Sequence, residues 1–399
     1  MPDGISTILS WSYVIIPETV YQTRLLLLFS LFSIALFFII KDITSRKRIL
    51  IILGVLFLTA TTHPLCAAAF ISLVILIYLT SHSTIENKLY YFILFLGTLF
   101  LSPFLIFNTF NIESIFYSFI TYYTLYKLIH YYIEVNKNST FKRGIEDFLF
   151  YILFFPCLCH GPIERINTLT IDSLKKEEVV FGLKKIGWGL IKLQFYFYIL
   201  KDLQNKELPD LFITYIKTIN FYLQLSADWD IVIGVARLMG VRVRENFPHN
   251  PFFQPNMTKF WRNCNATIID WYFSYFYIPL AKNERWVNMK LVTVFMLILG
   301  MHAFFNTLKF PSANVILYYV LMGAWFGVTL VISKRVNDYF RSKEVKKVIS
   351  RCPPFLNHII YGKSMIRYLT NVIINFNIIS FGLWHSPFYK LLTMAWRTS

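Results

Sequence analysis

Leu291-Val-Thr-Val-Phe-Met-Leu-Ile-Leu-Gly-Met-His302-Ala-Phe-Phe305 is an apolar run with one imidazole set inside it. Read as a segment at membrane depth, it decides the fold. A histidine there costs free energy and marks a reaction site, an ion path or a water-filled cavity; a helix–helix hydrogen bond is its plainer use. Comparable runs cover 25–40, 49–60, 67–79, 90–107, 115–133, 148–159, 179–200, 213–225, 268–280, 315–332 and 369–388. Of the 399 residues 56% are hydrophobic, which excludes an ordinary soluble domain. The expected fold is all-α, a polytopic integral membrane helical bundle of about ten to twelve hydrophobic segments. Several runs fall short of the ~20 residues a full crossing needs, so they predict tilted helices with polar ends or re-entrant segments shielded by neighbours.

The formal net charge is +17, from 39 basic and 22 acidic residues. Such an excess invites nucleic acid, but its placement excludes it. Lys41, Arg46, Lys47 and Arg48 separate the first two runs, Lys88 follows the third, and Lys137, Lys142 and Arg143 follow the fifth. The connections 61–64 and 108–114 contain no Lys or Arg. This alternation is the positive-inside pattern, with the N-terminus outside the cytoplasm and anionic membrane lipids as partners of the basic loops. The basic amphipathic stretch 341–351, closed by Pro353 and Pro354, is expected along the cytoplasmic interface. Pro17, Glu18 and Arg24 interrupt the opening, which reads as a retained transmembrane start. Cys66, Cys157, Cys159, Cys264 and Cys352 lie in or beside apolar stretches without zinc spacing, so buried thiols and no metal site are expected. No polar connection is long enough for a core of its own, and 1–399 reads as one membrane-embedded domain.

Two segments depart from ordinary spans. In 149–167 (LFYILFFPCLCHGPIERIN), Pro156, Gly161 and Pro162 break the helix just before Glu164 and Arg165. Such backbone is tolerated only where it packs in protein or lines a cavity. In 221–246 (FYLQLSADWDIVIGVARLMGVRVREN), Ser226 and Asp230 interrupt apolar sequence, and Arg237 follows two turns after Asp230 on the same face. They read either as an ion pair that supports packing or as the lining of a polar cavity. The aromatic cluster 271–277 reads first as an interfacial belt, then as a channel wall. Tyr122, Tyr123 and His130 are explained by packing, and His160 and His385 have no defensible partners.

Taken in order, Phe154-Phe-Pro156, Gly161-Pro-Ile-Glu-Arg165, Ile231-Val-Ile-Gly-Val-Ala-Arg-Leu-Met-Gly240, Glu245-Asn-Phe-Pro248, Phe260-Trp-Arg262 and Tyr277-Ile-Pro-Leu280 resemble the membrane-bound O-acyltransferase family. The likeness is to its bacterial branch of alginate O-acetyltransferases and teichoic-acid D-alanyl transfer proteins, and is strongest over 122–327. The resemblance implies a bundle around a central funnel or tunnel, with His302 on the family's catalytic histidine. Asn265 falls on a second polar position, occupied by His in many bacterial relatives and by Asn in sterol and glycerolipid members. Two departures stand out: Gly300-Met301-His302-Ala303 replaces Leu-Trp-His-Gly, and Phe326 stands where a further histidine is common.

The implied chemistry is transfer of a short acyl group, acetyl before D-alanyl, from a thioester to a hydroxyl of an extracytoplasmic cell-envelope polymer. His302 would move the proton and Asn265 would donate to the oxyanion or position substrate. Trp261, Arg262, Ser226 and Asp230 are the candidate substrate-binding or tunnel-lining residues. No tightly bound cofactor is expected; acyl-CoA or an acyl carrier protein would serve as cosubstrate from the cytoplasmic side. An extracytoplasmic acyltransferase or acceptor-binding protein is the expected partner, and the cytoplasmic membrane the location in a bacterium. The competing readings are a glycerolipid or protein acyltransferase, a proton-coupled transporter using His302, Asp230 and Arg237, and an inactive scaffold. The absence of a visible sequence repeat speaks against the transporter.

Overall fold

Asp42 opens a helix by accepting the Ser45 N–H on its carboxylate (2.7 Å), and His63 followed by Pro64 opens the next. The computed structural model describes residues 25–37, 39–84, 87–110, 115–137, 144–158, 161–196, 203, 208–281, 287–309, 313–342 and 365–384. Among them the chain is helical, its one β pairing being an isolated bridge between Ile171 and Val241. The helices are α1 (Leu25–Phe37), α2 (Ile43–Thr61), α3 (Pro64–His82), α4 (Lys88–Phe110), α5 (Ile115–Lys137), α6 (Ile145–Leu153) and α7 (Lys176–Phe195). Then follow α8 (Asp210–Leu238), α9 (Met257–Asn263), α10 (Ala266–Tyr272), α11 (Ile278–Ala281), α12 (Val287–Lys309), α13 (Ala313–Arg341) and α14 (Met365–Trp384). The N-terminal start, the 341–351 stretch beyond Ser342, Cys159, His160, Cys352 and His385 lie outside the described residues.

Among the described residues two helices are long and apolar enough to cross a membrane, Pro64–His82 and, within α13, Ile316–Tyr339. Shorter apolar helices run Leu25–Phe37, Lys88–Ser102, Asn288–Ala303 and Tyr368–Leu383. Leu28, Leu31 and Phe32 on α1, and Ile52 and Leu56 on α2, stand exposed, a face suited to hydrocarbon. The apolar runs do not map one to one onto helices. Run 148–159 contains most of α6 and a 3-10 turn, and run 268–280 is split between α10, a π-helical turn at Phe273–Tyr277 and α11. Pro279 explains that turn: it has no N–H to return to the Tyr275 carbonyl, and the wider helix absorbs the defect.

The chain divides into two compact units, Met1–Gln194 with Gln224–Glu245, and Phe195–Leu223 with Asn246–Ser399. In the first, α6 stops at Leu153 and the backbone from Phe154 to Leu158 is buried. Lys127 of α5, itself buried, donates to the carbonyls of Cys157 (3.1 Å) and Tyr151 (3.4 Å), so the broken helix keeps its carbonyls satisfied inside protein. Glu164 is buried as well. It accepts the Thr168 hydroxyl, the Arg244 backbone N–H and Arg244 Nε, while Arg244 Nη2 donates to the Ile163 carbonyl. Gly161 and Gly240 hold positive φ (113° and 73°), and a methyl group on Gly240 would lie 2.5 Å from the Asp172 carbonyl oxygen.

Small residues also bring α7 and α8 together. A methyl on Gly182 would meet the Gly234 carbonyl at 2.7 Å, and one on Gly189 would meet that of Ala227 at 2.8 Å. As one helix rises in number the other falls, so they run antiparallel. Charges follow the same order: Glu178 pairs with Arg237 (2.7 Å), and Lys185 and Lys192 both pair with Asp230. Asp230 and Arg237 thus share a face as expected, but each pairs with α7 and not with the other. The basic first turns of α2 are also answered by protein. Arg46 donates to the Phe37 and Ile40 carbonyls, capping the end of α1, while Lys47 and Arg48 pair with Asp147 and Glu146.

Candidate functional site

His302 sits in α12, partly buried, and its ring stacks on Tyr319 of α13 (6.2 Å between centroids, 19° between planes). The two helices are antiparallel and close. A methyl on Gly327 would lie 2.7 Å from Val292 Cα, and one on Gly323 3.0 Å from Met296 Cα. Small residues four apart let the backbones approach in this way. The same register brings His302 opposite Tyr319, a neighbour that sequence reading missed. Only the hairpin symmetry of α12 and α13 about their connection would have exposed it.

Phe326, at the position where a further histidine is common among the resembled proteins, is buried two turns away from Tyr319 along α13. It packs against Trp261 (5.1 Å), which also meets Phe295 of α12 (4.9 Å). The substitution therefore falls in an aromatic layer. The Trp261 indole N–H is buried there with no acceptor among the described residues, while Arg262 is exposed and makes no ion pair among them.

Asn265 is not inside a continuous helix. It occupies the break between α9 and α10 with φ 50° and ψ 50°, a left-handed conformation that Asn tolerates better than most residues. Such an N-cap residue ordinarily bonds the first turn through its side chain. Asn265 does not, and its amide makes no hydrogen bond among the described residues. The first-turn N–H groups go elsewhere: Ala266 N–H to the Asn246 backbone carbonyl (2.9 Å) and Thr267 N–H to Asn246 Oδ1 (3.1 Å).

Ser226 and Asp230 belong to the first unit, on α8. Ser226 is buried, and both carboxylate oxygens of Asp230 are engaged by lysines, so its charge is already matched within the helix pair. Trp271 and Tyr272, expected at an interface, are buried and pack on each other (5.3 Å); Phe276 is more exposed. Cys66, Cys157 and Cys264 are free thiols, and among the described residues no group of His, Cys, Asp and Glu is arranged to hold a metal ion.

Among the described residues, two helices of membrane length and an imidazole in an apolar helix fit a helical membrane protein. No family model matches the chain. Curated relatives do. A probable alginate O-acetylase (AlgI) of Pseudomonas fluorescens is 28% identical over 232 residues, covering 53% of this chain and 44% of the relative. That of Pseudomonas aeruginosa is 27% identical over 231 residues, covering 54% and 42%. The teichoic acid D-alanyltransferase of Bacillus subtilis is 25% identical over 203 residues, covering 46% and 47%. The resemblance to the membrane-bound O-acyltransferases thus holds over about half the chain. The chain spans about half the length of the curated relatives it matches.

Proposed function

We propose that this protein is a multi-pass membrane-bound O-acyltransferase that moves an acetyl group from a cytoplasmic thioester to a hydroxyl of an extracytoplasmic envelope polysaccharide. What supports the reading is that one compact unit holds both His302, in an apolar helix, and an Asn265 amide left uncommitted at a helix break. Counting along the helices supports it. Asn265 lies about 24 Å back from Ala281, and His302 about 22 Å on from Val287, at ~1.5 Å per residue. The π turn and α11 pack against α12, which suits a shared depth.

In this mechanism His302 accepts the proton of the acceptor hydroxyl as its oxygen forms a bond to the thioester carbon. The carbonyl oxygen becomes an oxyanion and takes a hydrogen bond from the Asn265 amide, a contribution of roughly 3 kcal/mol in comparable sites. Collapse breaks the C–S bond, and the leaving thiolate takes the proton back from His302. No bound cofactor is needed beyond the donor itself, acyl-CoA or an acyl carrier protein. Trp261 would form one wall of the tunnel, and a separate extracytoplasmic acceptor-binding protein would present the polysaccharide in the cell.

Purified protein should move radiolabelled acetyl from acetyl-coenzyme A to an envelope polysaccharide fraction, and His302→Ala should abolish this while inserting into membranes normally. Full turnover by the variant would remove His302 from the chemistry. Label found only in lipid or protein would redirect the acceptor to those classes.

A further inference from the structure

Asn246 performs a task that normally falls to the residue at the helix start. Its backbone carbonyl accepts from Ala266 N–H (2.9 Å), and its side-chain Oδ1 accepts both the N–H (3.1 Å) and the hydroxyl of Thr267. Only the amide oxygen can accept a backbone N–H, so the orientation of the amide follows from this bond. The residue is fully buried, and its Nδ2 has no partner among the described residues. Its side chain therefore engages the protein as an acceptor alone. Next to these bonds stands Asn265, in the left-handed conformation, with its own side chain released from capping.

We propose that Asn246 is a positioning residue: by capping α10 from outside, it holds the Asn265 backbone and frees the Asn265 amide for the reaction. This rests on the acyl-transfer reading above. A helix start that capped itself through Asn265 would tie up the very group that the oxyanion needs. Outsourcing the cap to a buried neighbour resolves the conflict. It also assigns a physical role to the Asn-Phe element at 246–247, which the chemistry alone leaves unexplained. Phe247 packs on Tyr222 (5.1 Å) and so anchors the loop that carries Asn246.

The test is a double-mutant cycle on the full chain, read by acetyl transfer from acetyl-coenzyme A and by hydrogen exchange. Asn246→Ala should lower kcat about tenfold with KM within about twofold, and should speed exchange of the Thr267 amide, whose acceptor is the lost side chain. Asn246→Asp keeps the acceptor oxygens, so it should restore slow exchange and most of the turnover. Because Asn246 acts through Asn265, adding Asn246→Ala to Asn265→Ala should lower kcat by no more than about a further twofold. A merely structural residue would lower kcat by the same factor in both backgrounds, which would overturn the proposal. So would unchanged exchange in Asn246→Ala, or failure of Asn246→Asp to recover. If Asn265→Ala itself turns over like wild type, the catalytic reading of Asn265 fails, whatever Asn246 does; the exchange data still report the cap.

Discussion

On the proposed reaction Asn265 carries two constraints at once, one chemical and one conformational. Its left-handed backbone costs an ordinary L residue about 1–2 kcal/mol, whereas Gly, Asn and to a lesser extent His occupy that region more readily. Asn265→Gly should keep the fold and lose turnover as fully as Asn265→Ala, while the alanine variant should also be less stable by about 1 kcal/mol. Asn265→His should retain measurable turnover. Initial rates together with thermal unfolding of the detergent-solubilised variants check all three; an Asn265→Gly enzyme with wild-type rates would show that only the backbone matters. The residue types at 265 and 302 were legible in the sequence because polar groups stand out in apolar or aromatic surroundings. The break at Asn265 was not, since neither Gly nor Pro marks it and the cap comes from a residue 19 positions earlier.

At the scale of elements, the string Met322-Gly-Ala-Trp-Phe-Gly327 has a packing role that its resemblance to a motif does not convey. Gly323 and Gly327 are the points where α13 touches the backbone of α12, and the same register sets Tyr319 against His302. Gly327→Leu should push the helices apart, cost about 1–3 kcal/mol by overpacking and displace the imidazole. Gly300→Ala serves as the control: an added methyl there meets nothing within 4 Å, so it should leave stability unchanged or raise it by up to about 1 kcal/mol. Thermal unfolding and transfer rates measured side by side decide the matter, and equal stability of the two variants would refute the close-packing account. The interruption at 149–167 was visible from its prolines and glycine. What stabilises it was not, because Lys127 and Arg244 reach it from distant sequence. The π turn escaped for a related reason: a proline predicts a kink without saying how the helix will absorb it.

For the molecule as a whole, helical content and membrane character were legible from composition, since apolar runs of this density have few soluble alternatives. The partners of the charges were less so, because the positive-inside rule counts residues without asking which are already paired. Arg46, Lys47 and Arg48 have protein partners, yet Lys41 remains exposed at the same end of α2. With native cysteines replaced, a cysteine at Lys41 should resist an impermeant thiol reagent applied to intact cells, and one at Thr62, beyond the opposite end of α2, should react. The reverse pattern would invert the topology and move the thioester donor to the other face. The paired charges of α7 and α8 bear on the order of manufacture. The ribosome completes α7 well before it reaches Asp230, and a lysine released alone into lipid costs on the order of 3 kcal/mol. For a membrane-embedded α7, Lys185 and Lys192 would therefore have to wait at the insertion machinery, or at the headgroups, for a counter-charge not yet synthesised. Were α7 and α8 to lie in the bilayer, they would have to enter it as a couple, and the spacing of their charges would act as a timetable for biogenesis.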